Sequence, residues 1–159
     1  MRRWAMTRQN FSISVSDLLE RFHKHQELYR LAVRRQDVPT ANRHILKASE
    51  YLNALAALNP AGRETIETLL THPDAYLRLR AAGSVLSWSP EKAIPVLGRL
   101  LFEDLGPTRS PDERLDIRTE AKGWLYKHFG IRSFDRNDLI EPLRAYGVEL
   151  PYRDHAKWQ

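Results

Sequence analysis

The chain of 159 residues contains no cysteine. Disulfides, thiolate nucleophiles and cysteine-ligated metals are excluded together, and a reducing cytoplasm is the compartment that this usage fits. Long apolar runs are missing as well. No stretch approaches the roughly 18 apolar residues of a membrane span, so no membrane partner is expected. The opening Met1-Arg2-Arg3-Trp4-Ala5-Met6 is basic without an apolar stretch behind it, unlike a secretory signal. Met6 is an alternative start. Nucleotide fingerprints are absent: there is neither a Gly-x-Gly-x-x-Gly nor a P-loop. His23 and His25 stand two apart, so on a helix they face different ways, and His44, His72, His128 and His155 are scattered. No His-x-x-x-His or Glu-x-x-His pair offers a metal one helical face. No metal, no cofactor and no catalytic residue are expected. Strict apolar–polar alternation is absent too, which excludes a sheet.

What is present is a passage that occurs twice. Leu77-Arg78-Leu79-Arg80-Ala81-Ala82-Gly83-Ser84-Val85 returns as Ile117-Arg118-Thr119-Glu120-Ala121-Lys122-Gly123-Trp124-Leu125. The copies stand about forty residues apart, the period of two-helix solenoid repeats. Apolar residues recur at helical spacing along the rest of the chain, and caps punctuate them. The spacing predicts helices over about 15–36, 40–58, a short third from Pro60, 74–88, a fifth from Pro90, a sixth from Pro111 to Phe129, and a last over 136–146. The strongest start is Ser110-Pro111-Asp112-Glu113, with an N-cap serine, a first-turn proline and a glutamate placed for a capping box. Short connections make neighbours antiparallel, so helices three and four, and five and six, form hairpins. Ala81, Ala121, Gly83 and Gly123 are expected at close helix–helix approaches. The chain divides into an arm (1–12), a helical domain (13–147) and a tail (148–159) that is expected to be polar and frayed from Pro151.

At this point the residues resemble a known class. Leu69-Leu70-Thr71-His72-Pro73-Asp74, Leu77-Arg78, Ala81-Ala82 and Ala93-Ile94-Pro95-Val96-Leu97 are similar to the HEAT-repeat pattern. The second copy departs from it, with an expanded turn from Gly106 to Pro111 and Lys122 in place of the second alanine. Leu18-Leu19-Glu20-Arg21-Phe22, Ala41-Asn42-Arg43 and His72-Pro73 through Ala82 also resemble an uncharacterised family of small bacterial HEAT-like proteins. The resemblance implies an all-α superhelix of about seven helices and no catalytic residues. It further implies a protein partner, since such proteins sometimes look like immunity proteins that neutralise a cognate toxin.

Net charge is +5, spread along the chain in single residues and pairs. It permits an acidic protein face or nucleic acid as partner. Arg114, Arg118 and Lys122 fall at i, i+4 and i+8, one stripe that Tyr126 continues. Arg80 is placed in the same layer. These five are the candidate partner-binding residues. The plainer alternative is a solvated stripe balanced by Asp112, Asp116 and Glu120. Arg78 and Arg118 also occupy the repeat's arginine position, where the resemblance implies a bond to an acid or carbonyl of the neighbouring turn, with Asp74 and Asp116 as acids nearby. Trp88 and Trp124 are expected in packing, and Trp4 and Trp158 in the arms. The leading expectation is a cytoplasmic, immunity-type protein inhibitor. The alternative is a nucleic-acid-binding module related in fold to the HEAT-like alkylation-repair glycosylases, with nonspecific duplex affinity near 10⁻⁴–10⁻⁶ M as the benchmark.

Overall fold

A computed structural model describes residues 13–154. The arm, Trp4, Trp158, His155 and the end of the tail lie outside the described residues. Seven α-helices occur among those described, with no strand: α1 (Val15–Arg34), α2 (Val38–Ala57), α3 (Ala61–Thr68), α4 (Ala75–Val85), α5 (Pro90–Leu100), α6 (Pro111–Phe129) and α7 (Ile140–Arg144). None is long and apolar enough to cross a membrane.

Caps set most of the boundaries. The Ser14 hydroxyl accepts the Asp17 N–H and starts α1. Gln36 takes a positive φ of 59° and turns the chain, and the Asp37 carboxylate accepts the Thr40 N–H. That cap starts α2 at Val38, two residues before the expected position, because Pro39 needs no N–H partner in a first turn. Pro60 lies just ahead of α3 rather than at its first position. Asp74 caps α4. The capping box at Ser110 and Glu113 is complete, and Gly130 ends α6 in the left-handed conformation with φ 67°. The last helix is split. A 3₁₀ turn (Arg136–Leu139) leads into the five residues of α7, since Pro142 has no N–H to bond one turn back.

The packing is a continuous helical stack with superhelical layering. α1 and α2 form the principal hairpin. α4 packs on α5 and α5 on α6, while α4 lies beside α6 and α1 reaches across to α6. The expected apolar faces are buried: Leu18, Phe22, Leu52, Leu55, Ile66, Val85, Ile94, Leu97, Ile117 and Leu125 are core residues. Val148 and Leu150 are buried as well, although both were expected in the tail. A Cβ on Gly98 would come within 3.2 Å of Val148 Cγ1, so this glycine gives the end of the chain its seat on α5. As far as Arg153 the tail is pinned rather than frayed. Arg136 donates to Pro151 O at 2.7 Å, and Asn137 bonds both backbone groups of Arg153.

Candidate functional site

The two copies of the repeated passage lie side by side in α4 and α6, and equivalent positions meet. The Tyr76 hydroxyl donates to Asp116 Oδ2 at 2.8 Å. Arg80 forms a salt bridge with Glu120. Both pairs are separated by 40 residues, the repeat period itself. α1 completes the cluster. The Tyr29 hydroxyl donates to the same Asp116 oxygen at 2.7 Å, and Arg80 Nε donates to Gln26 Oε1 at 2.8 Å. The Arg80 guanidinium also lies over the Tyr29 ring, 4.9 Å from its centroid. One helical turn away, buried Glu113 joins α6 to α1 by accepting from Arg30 at 2.9 Å while it caps Ser110 N.

This environment separates Arg80 from the other candidates. Its side chain is only 10% exposed and every bond it makes points inward. Burial works against its charge, and Glu120, joined by Tyr29 and Asp116, more than offsets that. Burial, then Glu120, raises the Asp116 carboxyl above the ordinary range. Burial first, with nearby carboxylates, also pushes the hydroxyls of Tyr29 and Tyr76 up, so both remain protonated donors. The expected placement of Arg80 in the layer of the basic stripe is therefore corrected: Glu120 draws it to the opposite side of α6. Asp116 and Glu120 likewise do not balance the stripe, because they are engaged by α1 and α4.

The stripe itself is present. Exposed Arg114 donates to Gly106 O at 3.2 Å. Arg118 donates to Leu100 O and Glu103 O at 3.0 and 3.1 Å, the carbonyl contacts implied for the repeat arginine. Its equivalent, Arg78, bonds the carbonyls of His72 and Pro73 and adds a salt bridge to Glu103 at 2.6 Å. Neither uses the acid foreseen: Asp74 pairs with Arg109, and Asp116 with the tyrosines. Lys122 is half-buried, and the Tyr126 hydroxyl is buried without a hydrogen-bond partner. Two further arginines, not foreseen from the sequence, join this side. Burial and then Arg153 bear against the charges of both Arg118 and Arg136; Arg118 adds to this at Arg136, while Glu103 and Asp104 favour the charge of Arg118. No ion pair involves Arg114, Arg118, Lys122, Arg136 or Arg153 among the described residues.

Among the described residues the histidines pair once. His25 Nδ1 lies 3.1 Å from His44 Nδ1, and the His25 ring stacks on Tyr51. No group of three metal-ligating side chains occurs among the described residues. Trp88 packs against the core with its indole N–H on Glu67, whereas Trp124 is 37% exposed and lies over Gly83. A cavity of about 430 Å³ between α1, α2 and α6 is lined by Val33, Val38, Leu115 and Asp116.

No protein-family model, curated protein or solved structure matches this chain.

Proposed function

We propose that this chain is a non-catalytic protein-binding module, in its most specific form an immunity-type inhibitor that covers a cognate bacterial toxin in the cytoplasm. One observation carries the reading. Equivalent arginines of the two copies differ in their pairing: Arg78 forms a salt bridge with Glu103, and Arg118 bonds only carbonyls, with Glu103 and Asp104 acting on it from beyond ion-pair distance. Around Arg118 stand Arg114, Lys122, Arg136 and Arg153, also without ion pairs among the described residues. Unmatched charge of one sign favours a partner of the other sign, because complementary fields steer encounter and reject wrong partners. An acidic protein face fits. The buried cluster on the opposite side of α6 supports the reading, because it presents the stripe on a helix fixed to both α1 and α4. The resemblance to HEAT-like proteins agrees with binding through an extended helical surface.

A biosensor titration against the product of the neighbouring gene tests this. The expected result is a saturable complex. Arg114→Glu with Lys122→Glu should slow its association with little effect on the melt, since charges that reach solvent and make no ion pair contribute little to stability. No complex, or equal affinity for the double variant, overturns the reading. A random duplex should bind more weakly than about 10⁻⁶ M at physiological salt. Tighter, steeply salt-dependent duplex binding would favour the nucleic-acid alternative.

A further inference from the structure

The cavity of about 430 Å³ between α1, α2 and α6 has the size of a small-molecule pocket, and no residue of the basic stripe lines it. α6 gives it one face: Asp112, Leu115, Asp116 and Thr119 stand at i, i+3, i+4 and i+7. Val33 lines it from α1 and Val38 from α2. Val38 and Leu115 are 63% and 67% exposed, so these apolar walls have no cover among the described residues.

The chain carries a net charge of +5, yet no lysine or arginine lines this cavity and three aspartates do. None of the three forms an ion pair among the described residues. Asp37 is committed to its cap on Thr40, with Arg35 and Arg43 acting on it. Asp112 accepts from Gln36 on Oδ2 at 3.0 Å. Asp116 accepts from Tyr29 and Tyr76, both on Oδ2, at 2.7 and 2.8 Å. Two bonds fill the lone pairs of that oxygen. Its Oδ1 takes no bond among the described residues and is not enclosed. Burial and the Glu120 carboxylate oppose the charge on Asp116, while the tyrosine hydroxyls and Arg80 favour it. Arg80 is itself bridged to Glu120, so two carboxylates share one guanidinium.

We propose that this cavity binds an alkylammonium group. The ammonium donates to Asp116 Oδ1 and faces Asp112 one helical turn earlier, and the aliphatic chain lies against Val33, Val38 and Leu115. A charge-assisted bond of this kind is stronger than a neutral one. A guanidinium fits less well, because its fork takes both oxygens of a carboxylate and Oδ2 is filled. A bare metal ion also fits less well, since no group of three side chains able to hold one occurs among the described residues. The alkylammonium belongs either to a free aliphatic amine or to a lysine side chain of a partner. The proposal stands apart from the basic stripe and from the protein-binding reading above.

The test is an NMR titration of the isotope-labelled full chain at pH 8, where an alkylammonium stays protonated, at constant ionic strength. The probes are pentylamine, its neutral match 1-pentanol, and acetyl-lysine methylamide. Saturable shifts centred on residues 33–42 and 112–119 are expected with the amines. Stronger binding of pentylamine assigns the cavity to a free amine, and stronger binding of the lysine derivative assigns it to a partner's lysine. Pentanol should bind about tenfold more weakly than pentylamine, or less, the effect of one lost bond to a charged group. Asp116→Asn, which keeps an oxygen for the tyrosines, should weaken amine binding by a similar factor. Leu115→Ala, at an exposed helical position that leaves the fold intact, should weaken it severalfold through lost apolar contact. Glu141→Gln, a remote acid paired with Arg144, should change nothing. The proposal is overturned by the absence of saturable amine binding, by shifts centred outside this cavity, or by pentanol binding as tightly as pentylamine. Asp116→Asn and Leu115→Ala variants that both titrate like the parent chain overturn it as well.

Discussion

α4 and α6 carry the same passage and put it to different use. In α4 both arginines are matched, Arg78 by Glu103 and Arg80 by Glu120. In α6 the first position keeps its arginine without an ion pair, and the second has become the acid that neutralises α4. Tyr76 and Asp116 divide in the same way, donor in one copy and acceptor in the other. Stacked equivalent helices place equal positions face to face, so identical charges there would repel. The copies must diverge where they touch. α6 then has one row spent on the stack and another left with unmatched cations. The difference between the copies thus locates both the structural clasp and the candidate binding side.

The comparison breaks most severely if the clasp is cut. Arg80→Met and Glu120→Gln each leave a buried charge or dipole unmatched and should cost about 3–5 kcal/mol, measured by urea unfolding. Next come the alanines. Ala81 and Ala121 are both fully buried, so leucine at either position should overpack the contact and cost roughly 1–3 kcal/mol. An unchanged melt for both variants would mean that the copies are wrongly aligned. The glycines sharpen the contrast, because they were expected to be alike and are not. A Cβ on Gly83 would lie 3.0 Å from the Trp124 indole, whereas one on Gly123 would meet nothing within 4 Å. Among the described residues, no further copy stacks on that face of α6. Gly123→Ala should therefore gain up to about 1 kcal/mol of helix propensity, and Gly83→Ala clearly less. Equal melting temperatures for the two would refute this asymmetry.

The smallest effect lies outside the copies, in the α1–α2 hairpin. Burial, then His44, with Lys24 and Lys47 adding and Glu50 opposing, lowers the pKa of His25 below its ordinary 6.5. A depressed folded pKa gives stability that is present above 6.5 and is lost as pH falls through the folded value. Melting temperature should decline from pH 7 towards pH 5, with a shallower slope in His44→Gln. An identical slope would remove His44 from this account.

Much of the fold was legible because the signals were local. Ser110 with Glu113, Asp37, Asp74 and Gly130 mark helix ends within a few residues, and apolar spacing names the buried faces. The clasp was legible only in part. Tyr29 falls at the apolar spacing of α1, and spacing reports that a side chain is buried, not what its hydroxyl meets. Alternate helices of a solenoid share a side, and that rule puts Arg80 with the stripe; it does not say which charges face each other, and Glu120 holds Arg80 on the other side of α6. The signal was available: at equivalent positions Tyr76 meets Asp116 and Arg80 meets Glu120, donor against acceptor and cation against anion. Arg136 and Arg153 left no such trace. Their approach to Arg118 depends on how the segment after Gly130 folds back, and neither periodicity nor repeat spacing reaches that far.

The claim that equivalent positions of the two copies face and neutralise each other is tested most directly by a double-mutant cycle on Arg80 and Glu120. Urea unfolding of Arg80→Met, Glu120→Gln and the double variant gives the coupling. The account predicts that the double variant loses less than the sum of the single losses, with an interaction above about 1 kcal/mol. Losses that add to within about 0.5 kcal/mol would show that the two residues do not meet, and would contradict the stacking on which the rest depends.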